Sequence, residues 1–232
     1  QLMSYEGAER EEYQKDNQFR GQFEWEKYSD GWNFHYFTGV NSTRLNYFRA
    51  TPVFDFVNED THSNEFGVIN HLRIFREISE KLYTTFSFDA NYFDVEANDR
   101  AKNSGYKEDR LETSLLLNAH FKPSERLAAF ALLRSESYDR NIVPFVPSVG
   151  MEWQVWEKLP LILRSNIARN YHKPTLNDLY WLPGGNPDLL PEDGYTGDIS
   201  LSGNFEFNQA KFQNEIRSEE HTSELQSLLI IS

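Results

Sequence analysis

The feature that most constrains this chain is a two-residue alternation of apolar and polar side chains that recurs along most of its length. In the segment 82–92, Phe86 and Phe88 share one face with Leu82 and Tyr92, whereas Asp89 lies on the opposite face. Segments 111–121 and 195–205 repeat the pattern. Successive side chains of a β-strand point to opposite faces, so this period predicts strands that are apolar on one side only.

The alternation predicts ten β-strands, most of them near the length that a tilted strand needs to cross a bilayer. Short connections (28–31, 77–81, 122–125, 156–160, 206–209) alternate with longer ones (41–64, 93–109, 138–143, 171–194). An antiparallel membrane meander has this asymmetry, with tight turns at one rim and long loops at the other. The predicted strands are 19–27, 32–40, 65–76, 82–92, 110–121, 126–137, 144–155, 161–170, 195–205 and 210–216.

These strands predict an all-β fold, an antiparallel transmembrane β-barrel fragment of about ten strands. A soluble all-β protein is the alternative. Mean hydropathy is -0.67, which argues against helical spans but is compatible with strands that are apolar at every second position. The residues expected to face lipid are Phe86, Phe88, Leu115 and Leu117. Those expected to face inward are Asp89, Glu112, Asn118, Arg164 and Asn166.

The segment 170–198 reads NYHKPTLNDLYWLPGGNPDLLPEDGYTGD. Its elements PTLNDLYW and GNPDLLPE, followed by Tyr195 and Asp198, resemble the signature near the end of the barrel in TonB-dependent outer-membrane receptors. Within that family, the segment is most similar to receptors of the vitamin B12 type from Bacteroidetes-like bacteria. PFVPSVGMEW at 144–153 adds to the resemblance.

The resemblance implies a portion of a 22-stranded barrel that, in the family, is filled by an N-terminal plug. We therefore expect the chain to be the C-terminal barrel part of a larger receptor, without the plug, the energy-coupling box or a signal peptide. The partners that the resemblance implies are outer-membrane lipid, the TonB complex acting through that plug, and a small-molecule chelate substrate.

Three residues of the signature are the candidate ligand contacts. Tyr180, Trp181 and Asn186 carry rings and an amide, which suit a large, partly polar substrate. The alternative is that the motif stabilises the loop and the barrel rim without touching ligand. Thr175 is expected to cap a short helical turn through Leu179–Trp181.

Other chemistry has little support in the residues. The six histidines are scattered without metal-ligand spacing, and the acidic segment 94–99, DVEAND, is expected to be a solvated outer loop rather than a calcium site. Zero cysteines exclude disulfides and thiolate sites. The net charge of -13 disfavours nucleic-acid binding. We predict no enzymatic activity, no catalytic residue, no metal and no cofactor.

The C-terminal segment differs in character from the rest. Residues 217–227 read RSEEHTSELQS, which looks like the translation of a sequencing adapter. We expect residues 1–216 to be the barrel portion and residues 217–232 to be a foreign tail.

The expected function is energy-coupled uptake of a scarce nutrient, cobalamin or siderophore-like, across the outer membrane of a Gram-negative, Bacteroidetes-like bacterium. A passive outer-membrane porin and a soluble secreted β-sandwich that binds carbohydrate are the alternatives.

Overall fold

The computed structural model describes residues 11–51, 56–139, 141–157, 161–207 and 210–224. These residues form one antiparallel sheet in which ten strands follow each other in chain order, with β1 and β10 at its two edges. One short helix, α1 (Leu176–Tyr180), lies between β8 and β9. The strands are β1 (Glu11–Ser29), β2 (Trp32–Thr51), β3 (Phe56–Ser79), β4 (Leu82–Asp99), β5 (Ser104–Ser124), β6 (Leu127–Tyr138), β7 (Asn141–Gln154), β8 (Leu161–His172), β9 (Glu192–Phe207) and β10 (Ala210–Glu224).

The pairing register confirms the two predicted faces. Phe86 lies opposite Leu117 and Phe88 opposite Leu115, so these apolar side chains share the outward face of β4 and β5. Ser114 and Asn118 lie on the other face, opposite Asp89 and Thr85. The same inward face continues to β8 and β9, where Asn166 pairs with Asp198 and Arg164 with Ser200.

Little of the sheet is buried. The buried apolar side chains of the described residues are Ala50, Tyr138, Val143, Val146 and Leu179. A β-sandwich hides one face of each sheet against the other, so the single sheet in chain order contradicts the alternative of a soluble sandwich. The outward faces of β5 and β8 expose large apolar residues instead, among them Leu115, Leu117 and Ile167. No helix within the described ranges is long and apolar enough to cross a membrane.

All ten predicted strands are present, but two of the predicted long connections are wrong. Most of the predicted connection 41–64 belongs to β2 and β3. Most of the predicted connection 93–109 belongs to β4 and β5, which are joined by a short turn at 100–103. The acidic segment 94–99 is therefore the end of β4 and not a loop. The residues paired in this part of the hairpin are mostly polar. The strand therefore lacks the apolar–polar alternation from which the other strands are predicted.

The last strand also differs from its prediction. β10 extends beyond its predicted end at residue 216 and pairs with β9 as far as Glu224, opposite Asp193. Residues 225–232 lie outside the described residues. The foreign origin of 217–232 stays a prediction, because backbone pairing does not depend on where a sequence comes from.

Candidate functional site

The β8–β9 loop, residues 173–191, is the longest connection at its rim and contains most of the signature segment. Thr175 caps α1, as predicted: its Oγ1 accepts from the Asp178 backbone N–H at 3.2 Å, and Asp178 Oδ2 accepts from the Thr175 N–H at 2.9 Å. This is a reciprocal capping box with aspartate at its third helical position. Hydrogen bonds from the Thr175 side chain and backbone lower the pKa of Asp178.

The Gly-Gly-Asn turn folds the loop back on this helix. The Asn186 N–H donates to the Asp178 carbonyl oxygen at 2.8 Å, and Asn186 Oδ1 accepts from the Asp188 N–H at 3.0 Å. A Cβ at Gly185 would lie 2.6 Å from the Trp181 backbone nitrogen, so the close approach requires glycine here. The loop is thus compact and internally hydrogen-bonded.

The β8–β9 loop, called the rim loop below, contacts β5 at three positions along the strand. Leu182 forms a bridge with Gly105 at the start of the strand, with N···O distances of 2.9 and 3.4 Å. Further along β5, the guanidinium of Arg110 donates from Nη1 to the Pro174 carbonyl oxygen at 2.9 Å. Lys173 Nζ then lies 2.6 Å from Glu112 Oε2. These contacts hold the loop against the inward face of the sheet.

Arg110 is a buried charged group of this rim, at 4% exposure. Its Nε donates to Asp139 Oδ2 at 2.8 Å, which joins the rim loop to the turn between β6 and β7. Its guanidinium carbon lies 5.6 Å from the centre of the Tyr138 ring, within the range of a cation–π contact. Its Nη2 is buried and has no hydrogen-bond partner among the described residues.

A small apolar cluster supports the rim from the β6–β8 side. Tyr138, Val143 and Val146 are buried together, and Tyr171 packs against them. The hydroxyls of Tyr138 and Tyr171 lie 3.0 Å apart.

A pocket of about 550 Å³ opens between these elements. Arg110, Glu112 and Lys173 contribute to its lining, and Leu176 and Asn177 of α1 belong to the same wall. The lining also includes Glu65, Phe93, Val95, Tyr106, Glu136, Tyr171, His172, Pro174 and Thr175. The lining combines aromatic surface with several polar groups, as small-molecule sites do.

The three predicted ligand contacts lie in the loop but outside this lining. Trp181 packs edge-on against Tyr106, with ring centres 6.3 Å apart, and the Asn186 side chain is held by its own turn. Tyr180 is half-buried at the end of α1. Their contact with ligand stays a prediction.

Arg110 and Tyr171 are not among the candidate site residues predicted from the sequence. Arg110 begins the predicted strand 110–121, and Tyr171 directly follows the predicted strand 161–170. An arginine at the rim end of a strand, on its inward face, is the signal that points to the pocket.

The histidines are less scattered in space than in sequence. On the inward face, His71 Nδ1 lies 2.6 Å from Asp89 Oδ1, and His35 Nε2 lies 2.5 Å from Glu24 Oε1. Asp89 also accepts from the Ser114 hydroxyl at 2.7 Å. In the part of the chain that the structure describes, no group of three or more His, Cys, Asp or Glu residues could hold a metal ion.

The one-sheet meander with an apolar outward face and a polar inward face is the architecture of a transmembrane β-barrel wall. Residues 4–219 match the family model of the TonB dependent receptor-like β-barrel. The chain belongs to the TonB-dependent receptor family.

Individual relatives agree with this family. The chain is 46% identical over 43 residues to the vitamin B12 transporter BtuB of Photobacterium profundum, covering 18% of this chain and 7% of that protein. Its fold is similar to the siderophore receptor PirA of Pseudomonas aeruginosa, with a TM-score of 0.65 at 12% identity over 90% of this chain and 40% of that one. The alcaligin outer-membrane receptor FauA of Bordetella pertussis matches with a TM-score of 0.58 at 11% identity, over 91% and 37% of the two chains. The chain thus spans less than half the length of these relatives.

Proposed function

We propose that this chain is part of the barrel of an outer-membrane receptor for the TonB-dependent uptake of a scarce nutrient in a Gram-negative bacterium. The observation that carries the proposal is the family match over residues 4–219. The two faces of the sheet support it physically. In a closed barrel every strand pairs with two neighbours, which satisfies the hydrogen bonds of the backbone. Only side chains then contact the hydrocarbon outside or the interior of the barrel.

In this proposal each face has a partner. The outward side chains, such as Leu115, Ile167 and Ile199, contact outer-membrane lipid; all three are exposed on the sheet. The inward polar face contacts a plug domain, through which the TonB complex supplies energy. The rim loop and its pocket contact the small-molecule substrate.

For the substrate we propose a corrinoid of the vitamin B12 class. The support is the 43-residue stretch that is 46% identical to a vitamin B12 transporter. The siderophore receptors are similar at 11–12% identity, a level that supports the fold and not the cargo. A siderophore is therefore the second candidate, and a Bacteroidetes-like source stays part of the proposal.

A deletion of the gene in its own host tests the proposal. We expect the deletion strain to need more cobalamin for growth in cobalamin-limited medium, and to grow like the parent strain under iron limitation. A plasmid copy of the intact gene restores growth, and the same copy in a strain without TonB does not. A growth defect of the deletion strain under iron limitation alone would indicate a siderophore, and not a corrinoid, as the substrate. Complementation without TonB would instead indicate a passive porin.

A further inference from the structure

The rim pocket contains a hydrogen-bond donor that nothing in the described structure satisfies. Arg110 lines the pocket, and its Nη2 is the nitrogen left without an acceptor. Its other two nitrogens are used, Nε by Asp139 and Nη1 by the Pro174 carbonyl oxygen. A buried donor without a partner is costly, so such a group indicates an acceptor supplied from outside.

The charges of the pocket restrict what that acceptor is. Its two permanent cations are already paired, Arg110 with Asp139 at 2.8 Å and Lys173 with Glu112 at 2.6 Å. Glu65 and Glu136 add two further carboxylates to the lining, and Glu136 pairs with Arg134 outside it, at 3.1 Å. No unpaired permanent cation remains among the described lining residues to balance an incoming negative charge.

The acidic character extends beyond the pocket. An adjoining recess on the inward face is lined by Asp89, Glu112, Glu136 and Lys173. Like charges a few ångströms apart repel strongly at a partly enclosed site. A carboxylate or an anionic chelate entering here is disfavoured, whereas a neutral carbonyl is not.

We propose that the rim pocket receives a neutral amide side chain of the substrate, whose carbonyl oxygen accepts a hydrogen bond from Arg110 Nη2. Tyr106 and Tyr171 supply aromatic surface beside this amide. The inference rests on the proposed function, since a corrin ring carries several such amides. It goes further by assigning the group recognised and the residue that recognises it.

The test compares two probes on the receptor expressed from its own gene and purified in detergent. Cyanocobalamin carries neutral amides, and its monocarboxylate derivatives each have one amide hydrolysed. We expect the derivative whose altered group enters the pocket to bind about tenfold more weakly than cyanocobalamin. A higher salt concentration should reduce this difference in affinity, because salt screens the repulsion between the carboxylates.

Two isosteric variants identify the pocket as the cause. Glu65→Gln and Glu136→Gln each remove one lining charge and should reduce the discrimination severalfold. Glu125→Gln is the matched control, because Glu125 is exposed at the opposite rim and pairs there with Lys122. Arg110→Lys keeps the charge but lacks a second terminal nitrogen, and should weaken cyanocobalamin binding severalfold.

The outcomes separate the two levels of the proposal. Tight cyanocobalamin binding, with every monocarboxylate binding equally well, would overturn the pocket assignment and leave the proposed function intact. The pocket assignment would also be overturned if Glu136→Gln, Glu65→Gln and Glu125→Gln all discriminated equally between cyanocobalamin and its monocarboxylates. Failure of the wild-type receptor to bind any of these probes would overturn the corrinoid proposal, and the pocket assignment would fall with it.

Discussion

Arg110 donates from Nη1 to the carbonyl oxygen of Pro174 across 64 positions of sequence, at 2.9 Å. This bond joins the inward face of β5 to the loop that carries the family signature. Arg110 also pairs with Asp139, so one side chain links the β8–β9 loop to the β6–β7 turn. The order of the rim loop therefore depends on a residue far from the signature itself.

Replacing this arginine should release the loop. We expect Arg110→Ala to destabilise the rim by about 2 kcal/mol, less than the loss for a fully buried ion pair because Asp139 is partly exposed. Limited proteolysis should then cut within 173–191 much faster. Arg126→Ala is the control, because Arg126 pairs with Glu157 at the exposed opposite rim. Equal cleavage of both variants would show that Arg110 does not hold the loop.

The capping box gives a smaller and more local effect. Thr175→Ala removes the acceptor for the Asp178 N–H and should cost about 1 kcal/mol of loop stability. Thr175→Ser keeps the hydroxyl and should behave like the wild type. Hydrogen exchange of the Asp178 amide measures the difference, and equal exchange rates in the two variants would contradict a capping role.

Acid should loosen the same loop. The folded loop lowers the pKa of Asp178 through hydrogen bonds from Thr175. A carboxyl with a lowered folded pKa stabilises the fold above its unfolded pKa, and this contribution is lost as the pH falls through the folded value. Loop proteolysis by an acid-tolerant protease should therefore accelerate as the pH falls below about 4, the ordinary pKa of an aspartate carboxyl. Asp178→Asn should abolish that pH dependence; retention of it would assign the effect to another carboxyl.

The bridge between Gly105 and Leu182 predicts a strict requirement for glycine. At Gly105, φ is +140°, and a Cβ would lie 2.2 Å from the Ala97 carbonyl oxygen. We expect Gly105→Ala to displace the β4–β5 hairpin end and to detach Leu182. Gly197→Ala is the matched control, since its Cβ would meet nothing closer than 4.0 Å. Trp181 fluorescence, reporting its contact with Tyr106, should change only in Gly105→Ala.

The two faces of the sheet predict opposite tolerance to charge. Leu115→Arg places a cation on the outward face and should cost up to about 2–4 kcal/mol in a bilayer. Asn118→Arg, on the inward face of the same strand, should be tolerated. The yield of folded receptor in the outer membrane distinguishes them, and equal yields would contradict the assignment of Leu115 to lipid.

The faces were predictable because apolar residues recur at every second position wherever hydrocarbon is expected, as at Phe86, Phe88, Leu115 and Leu117. The strand ends were not. Beyond the apolar band, β3 and β4 continue through polar residues such as Asp60 and Glu96, which need no apolar face. The cap at Thr175 was predictable from local spacing. The bonds from Arg110 to Pro174 and Asp139 join distant parts of the chain, and no local pattern encodes them.

Uptake of radiolabelled cyanocobalamin into cells tests the proposed TonB-dependent import of a corrinoid. Three strains are compared: one with the intact gene, one without it, and one with the gene but without TonB. We expect cyanocobalamin to accumulate in the first strain only, and to accumulate less when that strain carries Arg110→Ala. Equal accumulation in all three strains would contradict it.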